Sequence, residues 1–305
     1  MAAPRLEQSR RVPDPVVHEV ELPAGENVDV RALGLELRKV FTSPAYRPPQ
    51  LPAVALELSA LARRPEVDAA EVSRVLERDP LLSSRVLSVA NSALYARGTP
   101  ILSLRNAVSR LGLRALRDLV LEAALHCRIF RAEAYAAAMA QLGRHASATA
   151  HLSRLVCRYT SLDAEHAFAC GLLHDVGVAA ALLVLAERKA EERPAAEVSH
   201  PVIAVAHPEL GGIVLQSWQV AAEIGLVVGA HHRREVAGRI HPLVAAVALA
   251  EHLADELGFG APPGLDGVPP LLAEQCAQVL GLTEKQLELV RRDSSQVGGV
   301  VGGAQ

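Results

Sequence analysis

Five histidines and one aspartate stand apart from the rest of the chain. His145, His174, Asp175, His207, His231 and His232 each lie in a stretch of helical pattern flanked by apolar residues. Imidazole and carboxylate suit zinc, iron or manganese, and such ligands commonly gather from several facing helices. A His-Asp pair on one helix and a His-His pair on another could serve two metal ions side by side. Such a site activates a water and clamps the oxygens of a phosphoester. Arg144 and Arg233-Arg234 neighbour these residues and could receive a phosphate, although arginine is equally common as a solvated charge. The other histidines, His18, His126, His151, His166, His200, His241 and His252, read as structural or solvent-facing.

The elements that must position these residues are helical. Half of the 305 residues are hydrophobic but only 3% are aromatic, so Ala, Leu and Val fill the interior, which suits packed helices better than sheets. Residues 1–48 carry scattered prolines and read as a partly ordered arm, with a possible strand at 16–22 where apolar and polar residues alternate. From Leu51 onward the period is helical. Val54, Leu58 and Leu61 share one face, and Asp68 with Glu71 has the spacing of a capping box. Asp79-Pro80 opens the next helix. Asn91 and Ser92 lie near a helix end, where they can satisfy freed backbone groups. Gly112 suits the position that closes one helix before the next. Further helices are expected at about 104–112, 113–130, 133–159, 163–187, 202–217, 219–232 and 241–258. Trp218 reads as a core anchor. A Gly/Pro loop at 259–270 precedes two short helices and a GGVVGGAQ tail that reads as flexible. The divisions are thus 1–48, 49–130, 131–258 and 259–305.

Composition narrows the partners. With 31 basic and 34 acidic residues the net charge is -3, which argues against DNA as the main partner. A helix–turn–helix reading of 68–92 has only Arg74, Arg78 and Arg85 as cations. The longest apolar stretch, about Val176–Ala186, falls short of the roughly 20 residues of a spanning helix, and the N-terminus lacks the apolar core of a signal peptide. A cytoplasmic protein without membrane insertion is expected. Four cysteines without CxxC pairing fit a reducing compartment. The Ala/Leu-rich faces serve a core or an oligomer interface equally well.

Two segments carry a family resemblance. In residues 51–121 a leading Leu-Pro, Asp79-Pro80, Asn91-Ser92 and the Ala107–Gly112 turn follow in the order of the HDOD (HD-related output domain) family. The segment AFACGLLHDVGVAAALL at 167–183 resembles the signature of the wider HD superfamily. The resemblance spans about 50–258 and implies an all-α multi-helix bundle, with an HD-like C-terminal half behind a smaller helical subdomain. By order, His145 matches the early HD ligand and His174-Asp175 the signature pair. His207 and His231-His232 match positions added in the related HD-GYP phosphodiesterases, which cleave cyclic di-GMP. Glu251 stands at the place of the final HD aspartate, with Asp255 one turn later. The lysine found shortly after the signature pair in HD-GYP enzymes is missing from VGVAAALL, and no GYP loop follows His232. HDOD proteins are described as relatives that lost catalytic ligands. The resemblance therefore implies a bacterial signalling module that binds a protein or nucleotide partner without obligatory turnover. The alternative is a metal-dependent phosphohydrolase of a nucleotide or cyclic dinucleotide, with Asp175 as its catalytic residue and a divalent iron, manganese or zinc as cofactor.

Overall fold

The computed structural model describes residues 30–301, apart from 52, 62–63, 65–67, 93, 96–98, 233–234, 237–238 and 266. Among the described residues the fold is all-α, with one two-residue hairpin, Glu235–Val236 against Arg239–Ile240. The possible strand at 16–22 lies outside them.

The N-terminal helices are α1 (Val30–Phe41), α2 (Ala53–Leu61), α3 (Ala69–Leu76), α4 (Pro80–Ala90) and α5 (Leu104–Arg128). Helix α1 falls within the segment read as a partly ordered arm. Its Leu33, Leu37 and Phe41 repeat every four residues and are buried against the main core, so one apolar stripe outweighs the surrounding prolines. Asp79 caps α4 as expected, accepting from the amides of Leu81 and Leu82 at 3.1 Å. Asp68 likewise accepts from Ala70 N–H, but Glu71 does not complete a capping box: it takes a 2.9 Å hydrogen bond from Arg64. The reciprocal box occurs instead at Thr283 and Gln286. Asn91 does more than cap its helix. Its side chain exchanges two hydrogen bonds with the backbone of Ile101 and donates a third to Leu87, while the buried Ser92 hydroxyl has no partner. Gly112 has φ 78° and breaks α5 into two helical pieces.

The C-terminal part contains α6 (Ala136–Cys157), α7 (Ala164–Leu173), α8 (Val176–Ala186), α9 (Ala196–Ser217), α10 (Ala222–Ala230) and α11 (Pro242–Glu256). The helix expected over 163–187 is interrupted at His174-Asp175, and α9 starts six residues before its expected position, running through Pro201 and Pro208. By length and apolar composition alone, Ala164–Ala186 and Ala196–Ser217 could cross a membrane. The first exceeds the expected stretch because it runs through the turn, yet 89% and 61% of their most apolar windows are buried within the fold, as in core helices. Trp218 anchors the core and donates its indole N–H to the Pro49 carbonyl at 2.7 Å.

Three helices follow: α12 (Pro270–Val279), α13 (Glu284–Ser294) and α14 (Val297–Val301). The last corrects the flexible-tail reading for residues 298–301, while 302–305 lie outside the described residues. Val297, Val300 and Val301 are all buried, and that apolar burial offsets the entropy cost of two helical glycines.

Two close helix approaches bracket the His174-Asp175 turn. A Cβ at Gly171 would lie 2.8 Å from the Thr149 carbonyl oxygen of α6, and one at Gly177 would lie 2.0 Å from the His207 carbonyl oxygen of α9. Glycine at both places lets the turn sink between α6 and α9.

Candidate metal centre

The turn carries two chemistry-bearing side chains into the middle of the bundle, and neighbouring helices supply the rest. His145 comes from α6, His207 from α9, His231 and His232 from the end of α10, and Glu251 from α11. Every one of the seven residues singled out as a ligand reaches this place. They form two groups, one of His145, His174 and Glu251, the other of Asp175, His207, His231 and His232.

Asp175 stands between the groups. Its Oδ2 is 3.2 Å from His174 Nε2, and its Oδ1 is 3.1 Å from His207 Nε2 and 3.5 Å from His231 Nε2. Glu251 Oε1 lies 3.5 Å from His174 Nε2. Asp255, the other acidic candidate on α11, lies beside Gly260 and Gly267 instead.

The histidine tautomers follow from the backbone. His174 and His231 sit at helix C-termini, where carbonyls lack amide partners. Their Nδ1–H groups donate to Gly171 O at 2.8 Å and Val228 O at 2.6 Å. His145 Nδ1–H donates to Phe259 O at 2.9 Å and His207 Nδ1–H to Ile203 O at 3.2 Å. A carbonyl only accepts, so all four rings carry their proton on Nδ1 and, when neutral, turn a bare Nε2 lone pair inward. Those nitrogens crowd one another: His145 Nε2 is 3.2 Å from His174 Nε2, and His207 Nε2 is 3.1 Å from His231 Nε2, with His232 Nε2 also 3.1 Å from His207 Nε2. Lone pairs at that separation repel unless a proton or a cation lies among them. The donor set therefore fits a cation, and carbonyl-bound Nδ1–H groups are the support that metal-ligating histidines commonly have.

Electrostatics agree. Burial pushes His145 and His231 down to about 4 and His232 to about 2, favouring neutral rings. Burial opposes charge on His174 too, but Asp175 and Glu251 outweigh it and raise the ring to about 9. Asp175, against its own burial, is held well below the usual carboxylate range by His174, with contributions from His207 and His231. With no metal bound, a proton on His174 takes the cation's part in one group.

Arg233, one of the two candidate phosphate contacts, lies outside the described residues. Arg144 is half-buried and its charge acts on His126, which belongs to a second polar cluster whose histidines the sequence alone marks as structural. There Ser147 Oγ donates to Glu122 Oε1 at 2.7 Å, His151 Nε2 meets Glu122 Oε2 at 3.1 Å, and His126 Nε2 meets Ser147 Oγ at 2.8 Å. The spacing held a signal: Glu122/His126 and Ser147/His151 are both i, i+4 pairs, placing each pair on one helix face.

Residues 49–234 match the sequence profile of the HDOD domain. The chain belongs to the HDOD family. Relatives of known structure share the fold at low identity. A Shewanella amazonensis SB2B protein assigned as a metal-dependent phosphohydrolase superposes with a TM-score of 0.71 at 23% identity, covering 90% of this chain and 99% of its own. An HDOD domain protein of unknown function from Geobacter sulfurreducens gives 0.62 at 23% identity, covering 89% and 99%. A Treponema pallidum protein described as uncharacterized is 26% identical over 73% of this chain, which spans only 45% of that relative's length. The HDOD match ends just past His232, so Glu251 is contributed by the bundle beyond it.

Proposed function

We propose that this HDOD protein is a signalling module built around a two-ion metal centre, which acts by binding a protein or nucleotide partner without obligatory turnover. The residues that would hold the ions are His145, His174 and Glu251 for one, and His207, His231 and His232 for the other, with Asp175 shared. The observation that carries the reading is enclosure. Of the seven donors, the six other than His232 are at most 4% exposed. Closed sites serve structure, whereas catalytic metal sites keep an open position for water or substrate. The missing lysine after His174-Asp175 points the same way. A Marinobacter aquaeolei VT8 protein with this fold is assigned to signal transduction, which accords with an output role.

A second reading, metal-dependent hydrolysis of a phosphoester, is favoured by the position of Asp175 between two donor groups. Bound divalent ions would polarise a phosphoryl group and activate water. The chain's own contribution would be to hold neutral imidazoles inward through their Nδ1–H bonds and to present half-buried His232 at the rim.

The test is to load the protein with manganese, iron or zinc and assay bis(p-nitrophenyl) phosphate and a cyclic dinucleotide beside Asp175→Asn. The module reading expects retained metal, a raised melting temperature and no turnover above the variant. Turnover that disappears in Asp175→Asn would overturn it in favour of the hydrolase.

A further inference from the structure

A second concave site lies on the same helix as His145 but away from the metal centre. A cavity of about 210 Å³ opens between the turn after α4, the kinked part of α5 and the C-terminal half of α6. Three arginines line it, Arg110 from α5 and Arg154 and Arg158 from α6, together with Tyr95 and His151. Among the described residues, no acidic side chain lines it. The neighbouring carboxylates are engaged behind the wall: Asp118 receives hydrogen bonds from Arg117 and Arg154, and Glu122 from Ser147, with His151 3.1 Å away.

The arginine at the back is held in place. The Arg154 guanidinium stacks 4.0 Å from the Phe168 ring centroid. It donates to Tyr95 OH at 2.6 Å and to Asp118 Oδ2, which uses two of its five N–H donors. Arg110 is steadied at the rim by a 2.7 Å bond to the Thr99 carbonyl. Arg158 is exposed at the end of α6. A fixed guanidinium with two more at the mouth is the arrangement that recognises phosphate oxygens.

We infer that this cavity binds the phosphate or diphosphate group of a small molecule, making it an input site separate from the metal centre. Size sets the ligand class. The volume equals about seven waters at roughly 30 Å³ each, which holds one or two phosphates but is below the roughly 300 Å³ at which pockets begin to enclose drug-sized ligands. Arg154 lies nine residues from His145 on α6, about 13 Å along the axis.

Calorimetric titration of the full chain with inorganic pyrophosphate tests the site, using Arg110→Ala, Arg158→Ala and Asp175→Asn beside the wild type in metal-free buffer. Both arginines are exposed, and circular dichroism checks that their variants fold. The expected result is saturable binding, weakened about tenfold or more in each arginine variant and unchanged in Asp175→Asn. Absence of saturable binding, or equal binding by wild type and both arginine variants, would overturn the assignment. Loss in Asp175→Asn alone would move the anion to the metal centre and equally overturn it.

Discussion

Gly177 of α8 sits so close to His207 of α9 that a Cβ on the glycine would come within 2.0 Å of the histidine carbonyl oxygen. The contact joins two neighbours of one site, since Gly177 follows Asp175 by two residues and the His207 ring faces that carboxylate at 3.1 Å. Gly177→Ala must push α8 and α9 apart. Overpacking of this kind costs about 1–3 kcal/mol, so a lowered melting temperature is expected together with weakened metal retention. A variant with wild-type stability and metal content would show that the approach does not position the site.

Sharing is the next consequence. His145 contributes to one donor group, whereas Asp175 faces both. His145→Ala should lower bound metal by about half, and Asp175→Asn should remove most of it. Metal analysis of the two variants distinguishes a shared carboxylate from two independent sites; equal losses would contradict sharing.

The Glu122 cluster predicts a pH dependence. Burial alone would raise this carboxyl, but His151 and hydrogen bonding pull it down to about 2. A carboxylate with a depressed folded-state pKa contributes stability that is present above its unfolded value, near 4.5, and is lost as pH falls towards 2. Denaturant unfolding should therefore show Glu122→Gln less stable than wild type at pH 7, with the gap closing below about pH 4.5. A gap that stays constant with pH would mean that Glu122 is not ionised in the fold. His126, pushed down to about 4 chiefly by burial, adds a loss in the same direction between about pH 6.5 and 4.

At the C-terminus, Val297 and Val301 pack with α6, α11 and α12, and Val300 packs with Val89 and Leu119. Deleting residues 297–305 exposes three buried valines' worth of core, each worth roughly 1.5–3 kcal/mol. A fall in the unfolding midpoint is expected, and an unchanged midpoint would return the segment to the status of a tail.

The sequence carried the site better than the frame around it. His145, His174, Asp175, His207, His231, His232 and Glu251 converge because each sits in an apolar helical stretch, and burial of those stretches leaves the polar groups one common interior. The break at His174-Asp175 was not legible, because it depends on close approaches at Gly171 and Gly177 whose partners are distant in sequence. Helix α1 was hidden by the prolines on either side of it, although Leu33, Leu37 and Phe41 kept the helical period. Glu71 shows the limit of a spacing rule, since a nearby arginine competed for the carboxylate and won. Helix α14 was missed because its glycines weigh against helix locally and only the tertiary contacts of its valines decide the matter.

The most direct test of the central claim is elemental analysis of untagged protein purified without chelators, beside a His174→Ala/Asp175→Ala control. The account predicts about two ions of iron, manganese or zinc per chain, absent from the control. Protein that arrives metal-free and takes up none of these ions on incubation would contradict it and leave the inward-facing nitrogens to be neutralised by protons alone.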